Sequence, residues 1–181
     1  GYEGAFIDKA TGDTIATEYY GAKIKLLDLG YGSAAQPLLY NVQPNGYYKN
    51  TKVYPANYKV WADGPFFKLD TITGDIKKFK QMDLFVTPNI TLDIKKVEVK
   101  YGMTAEITYS YTVNNTSSTA NEIGIVYGTD AYPGFRTAMN ESETSATTYK
   151  RIRTGITETS GEFTEVLYLK PNTTYYLRGL G

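Results

Sequence analysis

The sequence predicts an all-β protein made of two consecutive domains, and two observations carry that reading. Apolar and polar residues alternate with period two along the chain, whereas helical spacing is almost absent. The alternation is clearest where Met103, Ala105, Ile107, Tyr109, Tyr111 and Val113 interleave with Thr104, Glu106, Thr108, Ser110, Thr112 and Asn114, the pattern of a half-buried strand. The texture also changes at Pro88. Residues 1–88 hold 1 Ser and 7 Thr, residues 89–181 hold 6 Ser and 17 Thr, and the only Arg residues (Arg136, Arg151, Arg153, Arg178) all follow the break. A chain of 181 residues suits two small domains, placed here at 1–88 and 89–181.

The elements follow in order. Glu3 to Asp8 reads as a first strand, and the D-x-x-T-G-D run Asp8 to Asp13 that follows reads as a turn, with Gly12 where positive φ is wanted. The same pattern recurs at Asp70 to Asp75, and the simplest reading is turn chemistry used twice. A calcium loop fails, because the spacing lacks the alternating oxygen ligands that such loops need. Ala22 to Leu29 reads as a second strand, and Gly30-Tyr31-Gly32-Ser33-Ala34-Ala35 after it matches the G-x-G-x-x-A of dinucleotide sites. That fingerprint requires a helix whose free N–H groups hold the pyrophosphate, and Gln36-Pro37 and Gln43-Pro44 bracket a run with no helical stripe, so it reads as a surface loop. Further strands are expected at Lys52 to Tyr54, Tyr58 to Ala62, Asp83 to Thr87, Asp93 to Lys100, Glu122 to Tyr127, Glu165 to Leu169 and Thr174 to Arg178. Lys77-Lys78-Phe79-Lys80 is too short and isolated a basic run to be more than a solvated hairpin.

Composition closes most catalytic classes. The absence of Cys and His removes thiol nucleophiles, disulfides, the commonest general base and the commonest zinc ligand. No metal site and no cofactor are expected. With 19 basic and 19 acidic residues, evenly divided between the halves, no positive field attracts phosphate backbones, so nucleic acid is not an expected partner. No apolar run approaches the ~18 residues that span a bilayer, and no basic n-region with an apolar h-region opens the chain. A hydrolase using two carboxylates would need a cleft holding two acids about 5 to 9.5 Å apart, which sequence spacing does not display. Asn-x-Ser/Thr occurs at Asn89, Asn114, Asn115, Asn140 and Asn172, mostly by chance in a Thr-rich chain.

Trp61 is the most informative side chain. Alternation puts Tyr58, Val60 and Ala62 on one face and Lys59, Trp61 and Asp63 on the other, so the only Trp sits among charges and is expected to be partly exposed. Phe66 and Phe67 follow in a loop, and Tyr47 and Tyr48 follow the turn Pro44-Asn45-Gly46. A planar ring beside polar groups suits stacking on the C–H face of a sugar, and it equally suits packing under a neighbouring loop. Trp61, Phe66, Phe67, Tyr47 and Tyr48 are therefore the candidate ligand contacts.

The stretch Leu169-Lys170-Pro171-Asn172-Thr173-Thr174-Tyr175 resembles the L-x-P-x-T-x-Y of fibronectin type III domains, which implies that Tyr175 forms the tyrosine corner. Asn121 to Thr129 resembles the central strand of bacterial versions of that domain. Nothing after Gly181 supplies a last strand, so either the chain continues or a sheet edge is left open. Gly4-Ala5-Phe6-Ile7-Asp8, with Gly46-Tyr47-Tyr48 and Val53-Tyr54-Pro55-Ala56-Asn57-Tyr58-Lys59-Val60, resembles the carboxypeptidase-regulatory or transthyretin-like sandwich. Val53 and Ala56 stand there for the family's Leu and Gly.

Both halves in this order resemble a Bacteroidetes family of two-domain surface lipoproteins of unknown function, found beside Sus-type polysaccharide-utilisation systems. The resemblance implies two β-sandwiches and a lipid anchor on a Cys preceding this segment, holding the protein on the outer face of the outer membrane. It also implies polysaccharide or Sus-type transport proteins as partners, and no catalytic residues. Two functions are expected from this: accessory glycan capture, or a structural spacer or adhesin subunit that makes protein contacts at the cell surface.

Overall fold

The computed structural model describes residues 1–181 except 19, 79, 102, 118–119, 136–137 and 139–146. Phe79 of the basic run and Asn140 of the sequons lie outside the described residues. The chain divides into two compact units, Gly1–Pro88 and Asn89–Gly181, and the division coincides with the compositional break. Each unit is a pair of sheets around its own apolar core.

In the first unit, β1 (Tyr2–Asp8) is the centre of one sheet. It pairs antiparallel with β4 (Tyr47–Asn50) and parallel with β7 (Lys80–Gln81) and β8 (Leu84–Val86). The gap between β7 and β8 is closed by a side chain: Asp83 Oδ1 accepts from the Ala5 N–H at 2.9 Å. Gly4 allows this approach, because a Cβ there would lie 2.0 Å from the Met82 carbonyl oxygen. The second sheet runs β3 (Leu38–Asn41), β2 (Lys23–Asp28), β5 (Ala56–Asp63), β6 (Ile72–Ile76), all antiparallel.

Between the sheets, Tyr2, Phe6 and Tyr48 from one side meet Ile24, Leu26, Tyr58, Val60 and Ala62 from the other. The Phe6 ring is 5.8 Å from Tyr48 and 5.0 Å from Phe66. Burying each such ring stabilises the unit by about 1.5–3 kcal/mol before entropy is counted.

The turn chemistry holds at its first occurrence. Gly12, at φ 79°, donates its N–H to the Asp8 carbonyl, and the Ala10 N–H donates to Asp8 Oδ1. At its second, Thr73, Gly74 and Asp75 lie inside β6 and form no turn; pairing with β5 overrides the local signal. Lys52 to Tyr54 is likewise no strand, because no neighbour among the described residues offers a ladder there. The run after β2 is a short 3-10 segment, Leu29–Ala34, broken at Gly32 (φ 56°), followed by β3 and not by an α-helix.

In the second unit one sheet runs β13 (Ser160–Tyr168), β10 (Thr104–Val113), β9 (Ile90–Lys100) and the other β12 (Thr148–Thr154), β11 (Glu122–Gly128), β14 (Tyr176–Leu180). Ala105, Ile107, Tyr109, Tyr111 and Val113 of β10 all face the core, as their spacing predicts. The sheets are joined by Arg153 of β12, whose Nε donates to Glu165 Oε1 of β13 at 2.5 Å while its guanidinium lies 4.4 Å from the Phe163 ring centre. Tyr175 accepts the Lys170 N–H on its hydroxyl at 3.0 Å, with its ring 6.0 Å from that of Tyr127.

Candidate functional site

The five candidate rings do not form one shelf, because strand alternation and the two-sheet core send them to different places. On β5, Tyr58, Val60 and Ala62 enter the core, so Trp61 faces outward from the second sheet, half-buried among its neighbours. Its cross-strand partner is Lys25, and Lys25 is in turn opposite Leu39. Leu39, Lys25 and Trp61 thus make a row across three strands, flanked along β5 by Lys59 and Asp63. The Lys25 ammonium is ion-paired with the Asp63 carboxylate. Beside this row lies an open hollow of about 370 Å³ lined by Tyr20, Gly21, Lys23, Lys25, Leu39, Asp63 and Gly64. Trp61 does not line it, but Lys25 and Asp63 belong to both.

Tyr47 projects from the other sheet. On β4, Tyr48 enters the core, so its neighbour Tyr47 faces outward and is 52% exposed. It borders a hollow of about 340 Å³ lined by Glu3, Gly4, Gln43, Tyr47, Tyr48, Lys49 and Gln81. Lys49 is ion-paired with Glu3 at 2.8 Å, and the Gln81 amide donates to Asp83 Oδ1 at 3.1 Å.

Two candidates are corrected. Tyr48 is 3% exposed, and its hydroxyl donates to the Met82 carbonyl. Burial first, and the Asp83 charge second, push its phenol pKa far above the ordinary value. Phe66 is 6% exposed and packs on Phe6. Neither ring is available for stacking on a ligand. Phe67 is 39% exposed, its backbone N–H held by the Thr87 carbonyl, and it lines neither hollow.

The partners that surround the outward rings escaped the sequence reading. Glu3, Lys49, Gln43 and Gln81 meet at Tyr47 only through the register of β1 with β4 and β7, and Lys25 and Leu39 meet Trp61 only through the register of β2 with its neighbours. No local spacing signals such pairs. Chemically, both places offer a ring with amides or charges at its rim. Among the described residues, Glu3 is the carboxylate that lines the Tyr47 hollow and Asp63 the one that lines the other. Among the described residues no group of three or more His, Cys, Asp or Glu is placed to hold a metal.

Comparison with known proteins gives a family match over the first unit and a shared fold. Residues 1–87 match the family described as "Protein of unknown function (DUF3823) N-terminal domain". A DUF3823 family protein of Bacteroides uniformis has the same fold over 98% of this chain and 87% of its own, with TM-score 0.75 and 16% identity. A protein of the same species described as a "putative carbohydrate binding protein" matches over 98% and 86%, with TM-score 0.75 and 22% identity. A DUF3823 family protein of Bacteroides ovatus matches over 98% and 88%, with TM-score 0.71 and 17% identity. At these identities the likeness establishes the fold alone. No functionally curated protein matches the chain.

Proposed function

We propose, from the match of residues 1–87 to the DUF3823 N-terminal domain family, that this protein is a non-enzymatic glycan-capture component of a polysaccharide-utilisation system. In this reading it is held at the outer face of the outer membrane by a lipid anchor on the native chain.

One observation carries the reading. The sole Trp is presented on the outer face of β3-β2-β5-β6, although the strand that bears it sends Val60 and Ala62 into the core. An outward indole forgoes burial that would stabilise the unit, and such rings mark contact surfaces. The indole supplies a flat apolar face for sugar C–H groups, while Lys25, Lys59 and Asp63 supply donors and acceptors at its rim. The fold shared with a "putative carbohydrate binding protein" supports the same direction.

Because Trp61 is the only indole, its fluorescence reports on this face directly. Titration of the full chain with plant and host polysaccharides should change the emission and saturate, and in Trp61→Ala calorimetry should lose the part of the binding that the emission followed. A wild-type emission that no polysaccharide alters, or calorimetric binding identical in wild type and Trp61→Ala for every polysaccharide, would overturn the role of the Trp61 face.

A second reading, a spacer or adhesin subunit, is favoured by a different observation. At the β9–β10 end of the second unit, Val97, Val99, Tyr101 and Met103 are exposed together, Val99 at 74%. That group suits protein contacts. If this reading holds, Val97→Asn with Val99→Asn abolishes co-purification with the Sus-type transport proteins; unchanged co-purification rejects it.

A further inference from the structure

We propose that the Tyr47 hollow is a second carbohydrate-binding site, separate from the Trp61 face and selective for uncharged sugars. This deepens the glycan-capture reading and stands on its own residues.

The separation is geometric. Tyr48 on β4 and Val60 and Ala62 on β5 all point into one core from opposite sheets, so Tyr47 and Trp61 emerge from opposite outer faces of the same unit. One short glycan segment cannot lie on both.

Turn and ladder contacts position the backbone beneath the hollow. Gly46, at φ 82°, closes the turn before β4 and lies so near the Ile15 carbonyl that a Cβ would be 2.2 Å from its oxygen. The Tyr47 N–H donates to Asn45 Oδ1 at 3.2 Å, and its carbonyl accepts the Gln43 N–H at 2.9 Å, which sets Gln43 and Tyr47 side by side at the rim. Asp83 holds the Gln81 amide at 3.1 Å and is itself fixed by the Ala5 N–H. Glu3 and Lys49 hold each other at 2.8 Å. A ring, two carboxamides and an ion pair therefore border about 340 Å³, a volume typical of small-ligand sites. Such positioning limits the ordering entropy lost on binding.

The chemistry selects the ligand. Each carboxamide both donates and accepts, matching vicinal hydroxyls, and Tyr47 provides the flat apolar face. The charges lining the hollow, Glu3 and Lys49, cancel. Nothing there favours a uronate. The hollow beside Trp61 is lined instead by Lys23 and Lys25 against Asp63 alone, one cation in excess. The two faces thus differ in the sugars they favour, and a polymer that satisfied both would gain from the high local concentration of the second site.

The test uses the full chain and Trp61→Ala, Tyr47→Ala, Gln81→Ala and Tyr47→Phe variants. Binding to glucomannan, xyloglucan and amylopectin, with polygalacturonate as the acidic probe, is measured by calorimetry and by Trp61 fluorescence. Thermal melts show that each variant is folded. Calorimetric binding of a neutral polysaccharide should persist in Trp61→Ala, weaken about 2- to 10-fold in Tyr47→Ala and Gln81→Ala, and survive largely intact in Tyr47→Phe. If Trp61→Ala removes all binding while Tyr47→Ala and Gln81→Ala change nothing, this site is rejected and the Trp61 face stands. If binding is lost in Tyr47→Ala but never alters Trp61 fluorescence, the Trp61 face is rejected and this site stands. Wild-type protein that binds none of the four polymers rejects both.

Discussion

The ring of Phe66 lies 5.0 Å from that of Phe6 at an interplanar angle of 56°, so a residue in an irregular segment supplies a wall of the first core. Phe66→Ala should lower the stability of that unit by about 3–5 kcal/mol, the cost of truncating a buried Phe. Denaturant unfolding measures it. Loss of less than about 1 kcal/mol would show that the ring is not packed as described.

Gly46→Ala should destabilise by more than the ~1–2 kcal/mol that a left-handed conformation costs an ordinary residue, because the added methyl also meets the Ile15 carbonyl. The melting temperature of the variant checks this. A smaller change would mean that the turn has rearranged, and neutral-glycan affinity would then change with it.

Tyr175→Phe should cost about 1 kcal/mol, since it removes the acceptor for the Lys170 N–H at an exposed corner where water partly replaces it. Chemical denaturation of residues 89–181 is the direct measurement, and a neutral result would deny the corner a stabilising role.

Alkali should unfold the protein through its buried phenols. Burial raises the pKa of Tyr2 and Tyr48 well above 10.0 and that of Tyr109 to about 12, with the charge of Glu165 raising and Arg153 lowering the last. A folded pKa above the unfolded one means that their contribution to stability is complete below pH 10 and declines as pH rises through the folded values. The share of phenolate absorbance that comes from these buried rings should therefore develop together with loss of the circular dichroism signal above pH 10. The Tyr2 hydroxyl has no partner among the described residues, so Tyr2→Phe should leave stability at neutral pH unchanged or raised and shift the alkaline transition upward. An unshifted transition would contradict this.

Residues 1–88 and 89–181, expressed separately, should each give a cooperative thermal transition, because each unit contains a complete apolar cluster. A fragment that melts without cooperativity would show that its core depends on the other.

Much of this architecture was legible in the sequence, for reasons specific to each segment. The β10 alternation is long enough to fix both the strand and its buried face, and the Val60-Trp61-Ala62 triplet places the indole outward by the same logic. The strands β3, β4, β6, β7 and β12 escaped, because they are short or weakly patterned and exist through their ladders. The pair Tyr47-Tyr48 shows where reading stops: adjacent strand residues must face opposite ways, but the sequence does not say which of the two enters the core. Phe66 lies in a segment with no period at all, so only the tertiary contact with Phe6 reveals its burial.

The parallel pairing of β1 with β8 joins the first and last strands of the first unit. A nascent chain leaving the ribosome cannot complete that sheet until Leu84–Val86 have emerged, so Phe6 and its neighbours stay half-partnered through most of the unit's synthesis. Such distant closure slows folding and exposes an adhesive edge meanwhile. The time this unit spends with its sheet unclosed, and chaperone attendance over that time, should consequently govern how much native protein a cell recovers.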